Sequence, residues 1–133
     1  MTQQLQTAPR ARPAFLDLRR ISLPVGALTS IAHRASGVLL AAAVPFAIYA
    51  LGLSLKDEQG FAQVVSAWQH PALKLLGMAL VWALAHHVLA GVRHLLMDMN
   101  LGSPLAQARR SAWAVNVAAV VIALWWGTAL WAR

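Results

Sequence analysis

Histidines and arginines interrupt an otherwise apolar chain, and their spacing is what first points to chemistry. His87, Gly91, His94 and Asp98 recur at intervals of three and four residues. On a helix that turns by about 100° per residue the other three fall within about 40° of His87, forming one polar stripe. His87 stands roughly 9 Å deeper along such a helix than Arg93, at 1.5 Å per residue. Its imidazole is too short to reach back to water, so it needs a partner inside the apolar layer. A haem iron is one such partner, because imidazole is its usual protein ligand, and Gly91 would let a flat macrocycle approach the backbone. A hydrogen bond to a neighbouring helix, with the glycine allowing close packing, would satisfy the same residues.

A second stripe joins Ser30, Arg34 and Gly37, with His33 beside it. Two guanidiniums at one depth, Arg34 and Arg93, could pair with the two carboxylates of a haem, or one of them with a substrate oxygen. Taken singly, each also reads as a cation marking the end of a membrane span. His86 precedes His87 and points about 100° away from it, which suits packing or bonding to another helix or subunit. The chain has no cysteine. It therefore offers no disulfide, thiolate metal site or iron–sulfur cluster, and any metal chemistry must use histidine.

The elements that would position these residues follow from composition. Of 133 residues 59% are hydrophobic and 11% charged, with 11 Lys and Arg against 4 Asp and Glu, and the mean hydropathy is +0.59. A soluble domain of this length would need a far more charged surface. The net charge of +7 and pI near 11.7 do not signal nucleic-acid binding, because the cations sit in small groups between long uncharged stretches rather than in a patch. Residues 35–55, 75–92 and 111–132 are free of charge. Each is long enough to cross a hydrocarbon core of about 30 Å, and in lipid the backbone must satisfy itself within the segment. The fold expected is an all-α membrane protein of three transmembrane helices, residues 22–133, with spans at about 24–55, 72–98 and 109–132, preceded by a basic segment over residues 1–21.

Ser22-Leu23-Pro24 reads as an N-cap followed by an early-turn proline. Lys56 to Gly60 reads as a polar turn leading to an interfacial segment around Trp68 and a break at His70-Pro71, while Asn100-Leu101-Gly102-Ser103-Pro104 carries strong stop signals. The first twenty residues, with Arg10, Arg12, Arg19 and Arg20, have no apolar core and are no secretory signal. Eight cations fall on the side of the N-terminus and the second loop, against three on the other, which puts the N-terminus in the cytoplasm.

Two motifs carry a family resemblance. Ser30-Ile31-Ala32-His33-Arg34-Ala35-Ser36-Gly37 resembles the S-I-x-H-R-x-S-G signature of the cytochrome b subunit of succinate dehydrogenase, the large membrane anchor of respiratory complex II. The segment from His87 to Asp98 is similar to that family's H-x-x-x-G-x-R-H-x-x-x-D, and Arg12-Pro13 with Leu16-Asp17-Leu18 resembles its N-terminal segment in bacteria. The resemblance implies a flavoprotein that oxidises succinate, an iron–sulfur subunit, and two three-helix anchors that share one haem b and form a ubiquinone site. FAD and the iron–sulfur clusters would then lie in partner subunits only. It further implies His87 as one axial haem ligand, the other coming from the small anchor. Ser30 and Arg34 would serve the quinone, Asp98 would lie close to the quinone pocket, and His33 and Arg34 would lie near the haem propionates. Gly91, Arg93 and His94 would line the haem face. The membrane implied is a bacterial inner membrane. Rival readings are an anchor without haem and a small subunit that conducts ions or protons along the polar stripe.

Overall fold

The computed structural model describes residues 22–132. The basic segment with its four arginines, the Arg12-Pro13 and Leu16-Asp17-Leu18 motif, and Arg133 lie outside them. Among the described residues there are four helices and no strand: α1 (Val25–Ser54), α2 (Glu58–Ala67), α3 (Pro71–Asp98) and α4 (Leu105–Trp131). Of these, α1, α3 and α4 are long and apolar enough to cross a membrane. The chain is an all-α protein built on three such helices.

Helix ends are set by local chemistry. Pro24, not Ser22, occupies the N-cap of α1. Its extended ψ of 152° turns its carbonyl into the helix, where it accepts from the amides of Ala27 at 2.9 Å and Leu28 at 3.2 Å. The polar run after α1 is only partly a turn. Asp57 accepts from the Gly60 amide at 2.6 Å and so caps α2, a ten-residue helix where the sequence reading has a polar turn and an interfacial segment of no assigned structure. At Gly60 a side chain would strike the backbone carbonyl of Leu53, so α2 can fold back this tightly only with glycine there. His70 caps α3, its Nδ1 accepting from the Ala72 amide at 3.2 Å, and Pro71 opens the helix. The far end of α3 closes in a Schellman motif. Asn100 has a φ of 63°, its amide donates to the Met97 carbonyl, and the Leu101 amide donates to that of Leu96.

α3 is the central helix, packing on α4 along one face and on α1 along another. α3 and α4 run antiparallel. Lys74 at the start of α3 lies 5.9 Å over the ring of Trp131 at the end of α4, and Gly127 receives the side chain of Met78. The buried apolar residues are small: Ala83 and Ala90 on α3 meet a column of Ala112, Val115, Ala119 and Ala123 on α4. The large side chains point outward, with Phe46, Tyr49 and Trp125 each more than 70% exposed. This is the arrangement of helices solvated by lipid, which needs close backbone approach inside and bulk outside.

Candidate functional site

Two polar clusters stand on neighbouring faces of α3. The first centres on His87. Its Nδ1 lies 3.1 Å from the backbone carbonyl of His33 and 3.3 Å from Oγ of Ser36, whose hydroxyl donates to the same carbonyl at 2.8 Å. A carbonyl can only accept, so the His33 contact assigns the ring proton to Nδ1 and leaves Nε2 with a free lone pair. Metal-ligating histidines are held in this way, with the non-ligating nitrogen donating to a backbone carbonyl. Gly37 provides the seat: a Cβ there would stand 2.9 Å from Cε1 of His87, too close for the ring to remain.

The rings of His33 and His87 stack with centroids 4.2 Å apart and planes at 21°, and His94 meets His33 edge-on at 5.0 Å. Gly91 faces the same group: a Cβ there would stand 3.5 Å from Nε2 of His33, an ordinary contact. His33 and Gly37 lie one turn apart on α1, which therefore presents the accepting carbonyl and the bare seat together. Among the described residues no three His, Asp or Glu side chains are grouped to hold a metal ion. The cluster suits a metal already held by a macrocycle and needing one imidazole from this chain.

The remaining candidates are dispersed. Ser30 is half-buried and Arg34 exposed, both on α1 within a turn of His33. Arg93 is buried and turned toward α4, where Nε donates to Ser111 Oγ and one terminal nitrogen to the Ala108 carbonyl, each at 3.0 Å. It stands about 120° around α3 from His87, so its guanidinium faces away from the His33–His87 cluster. Asp98 is exposed. With His94, Arg93, Arg109 and Gly26 it borders an open cavity of about 930 Å³ where the start of α1, the end of α3 and the start of α4 meet. Ser30 and Arg34 are not among its walls.

The second cluster bears out the reading of His86 as bonded to another helix, while its partners Asn116 and Thr29 are not singled out by the sequence. His86 is 1% exposed and lies 3.0 Å from Oδ1 of Asn116, whose amide donates to Thr29 Oγ1 at 3.0 Å. Thr29 in turn donates to the Val25 carbonyl at 2.9 Å. The signal available was Asn116 itself, an amide inside an uncharged span, which must find a partner within the bundle.

Against known families, residues 8–125 match the model described as the succinate dehydrogenase/fumarate reductase transmembrane subunit. The chain belongs to this family. It is 31% identical over 121 residues to the succinate dehydrogenase cytochrome b556 subunit of Coxiella burnetii, covering 90% of this chain and 97% of that one. It is 33% identical over 120 residues to the protein of the same name from Paracoccus denitrificans, covering 85% and 87%. The mitochondrial cytochrome b560 subunit of Bos taurus is 36% identical over 102 residues, covering 75% of this chain and 59% of its own. The matched residues take in α1, α3, most of α4 and both polar clusters.

Proposed function

We propose that this chain is the larger membrane anchor and cytochrome b subunit of a succinate:ubiquinone oxidoreductase. It holds one haem b jointly with a second anchor chain and contributes to the site where ubiquinone is reduced. The observation that carries this reading is the hydrogen bond from Nδ1 of His87 to the His33 carbonyl, which leaves Nε2 free to ligate iron. The donor set fits the group. A single neutral imidazole, seated on glycine and oriented by a backbone acceptor, is the ligand that His87 would offer a haem iron.

When bound, the haem supplies a reversible one-electron store beside the path from the iron–sulfur subunit to the quinone. The residues of this chain do the rest. His87 holds the iron, and Ser36 and the His33 carbonyl hold His87. His33 and His94 bring imidazole N–H groups to the same face, where they would meet the propionates; Gly91 lies against the His33 ring on that face. Ser30 donates a hydrogen bond to a quinone oxygen, and Arg34 stabilises the negative charge that grows there as electrons arrive, an effect strengthened where water is partly excluded. Asp98, on the open cavity at the end of the helices, takes protons from water toward the quinone. Arg93 would serve the propionates only from its bonded position on the α4 side of the helix. Succinate is oxidised by the flavoprotein partner, and FAD and the iron–sulfur clusters stay in the flavoprotein and iron–sulfur subunits, since this chain has no cysteine to hold a cluster. The bias of cations toward the N-terminus and second loop supports a bacterial inner membrane orientation with the N-terminus in the cytoplasm.

The test is a reduced-minus-oxidised absorption spectrum of the complex purified with its partners. His87→Ala should abolish the b-type bands; bands of full intensity would refute the ligand assignment and, with no haem at all in the unaltered complex, the anchor would be purely structural. Arg34→Leu or Ser30→Ala should lower quinone reduction while succinate oxidation by a soluble acceptor continues.

A further inference from the structure

The face that α3 turns toward α4 is lined with alanine and glycine, and such a surface permits close approach with little to fix rotation about the helix axis. Two polar contacts interrupt it, both on that face and seven residues apart: His86 with Asn116, and Arg93 with Ser111 and the Ala108 carbonyl. The His86 contact also reaches the third helix, because Asn116 donates to Thr29 of α1, which is fully buried. Oδ1 of an asparagine only accepts, so His86 donates from Nε2. Its Nδ1 is buried and has no partner among the described residues. The arrangement therefore has one productive orientation: rotating α3 by a few tens of degrees would strand the imidazole donor, the amide and the hydroxyl in an apolar interior, where each lost bond is costly.

His87 is the next residue along the helix, offset by about 100°. Whatever fixes the direction of His86 also fixes that of His87. We propose that the His86–Asn116–Thr29 network is a positioning device that sets the rotation of α3 and so aims Nε2 of His87 at the haem. The inference rests on the reading of His87 as an axial ligand and adds three residues that act through it, none of which touches the haem. It also explains why two histidines stand together: one is bonded inward so that the other is held outward.

The test uses the complex purified from membranes with its partners. His86→Leu and Asn116→Leu each remove one partner, the double variant removes both and strands neither, and His86→Gln keeps an N–H at about the reach of Nε2. Two readouts report ligand orientation. One is the electron paramagnetic resonance g-values of the oxidised low-spin haem, which depend on the angle between the axial imidazole planes. The other is the rate at which haem transfers to excess apomyoglobin. The single variants should shift the g-values and speed haem transfer about tenfold, as loss of an outer contact does at other metal sites. The double variant should recover thermal stability but keep the shifted signal, and it carries the test where a single variant assembles poorly. His86→Gln should restore the original signal.

Unchanged g-values and transfer rates in both single variants and the double would overturn the proposal. So would a double variant whose signal returns together with its stability, since the network would then matter only for packing. His87→Ala, measured in the same series, separates the two ideas: full haem retention there refutes the ligand reading, whereas haem loss there with no shift in the network variants refutes the positioning device alone.

Discussion

His86 donates a hydrogen bond from Nε2 to Asn116 and is almost wholly enclosed within the helix bundle, whereas His87, the next residue, donates from Nδ1 to a backbone carbonyl and stays half-buried at the edge between α3 and α1. Opposite nitrogens carry the proton because the acceptors lie at different distances from each backbone. Asn116 reaches across from another helix to the tip of its ring, and the His33 carbonyl lies near the root. Each ring keeps one nitrogen unbonded, but Nδ1 of His86 is sealed inside the bundle, whereas His87 stands half-buried at its edge. A histidine in a span is thus a functional signal only when the nitrogen it leaves unbonded can be reached, and the residue pair shows both outcomes within one turn.

The sharpest way to break this contrast is to remove the outer seat. Gly37→Val places a side chain where the His87 ring lies, and we expect most of the reduced b-type absorption per assembled complex to disappear, with α3 still docked on α4. An undiminished difference spectrum would show that the ring is not held against α1. A smaller effect is expected from the inner face. Arg93→Leu loses two charge-assisted hydrogen bonds to α4 and should lower stability by about 2 kcal/mol, read as a drop in the midpoint of thermal unfolding of the solubilised complex. The haem bands of the assembled fraction should persist, because the guanidinium faces away from His87. If they vanished, Arg93 would belong to the outer region after all. The smallest change is Ser36→Ala, which removes one hydroxyl but leaves the His33 carbonyl accepting from Nδ1. It should cost about 1 kcal/mol in unfolding and leave the absorption maximum where it was.

Much of this was legible in the sequence for a simple reason: lipid imposes length and apolarity on a span so strictly that three helices can be read from charge-free runs alone. His33 and His87 stood out on the same grounds. α2 did not, because ten residues beginning with Glu58 and Gln59 carry no long apolar run, and its existence depends on the Asp57 cap and on Gly60 fitting under α1. Arg93 was read by depth, which the sequence gives, rather than by direction around the helix, which also needs the position of α4. Asn116 and Thr29 escaped notice because an uncharged polar residue in a span reveals its importance only when its partner is known, and that partner lies thirty residues away or on another helix.

The ends of α3 have an electrical consequence. Proline and a capping histidine stop the helix at one end and a Schellman turn at the other, so its 28 residues span about 42 Å. With α3 centred on the bilayer, His87 lies roughly 11 Å inside the hydrocarbon boundary on the Asp98 side, taking the core as about 30 Å thick. Any charge resting at that level has crossed about a third of the insulating layer. Voltage across the membrane then acts on it with about 0.8 kcal/mol per 100 mV, a share of the roughly 2.3 kcal/mol for full crossing. Two fixed helix ends thereby decide how strongly an energised membrane resists or favours an electron at the level of His87.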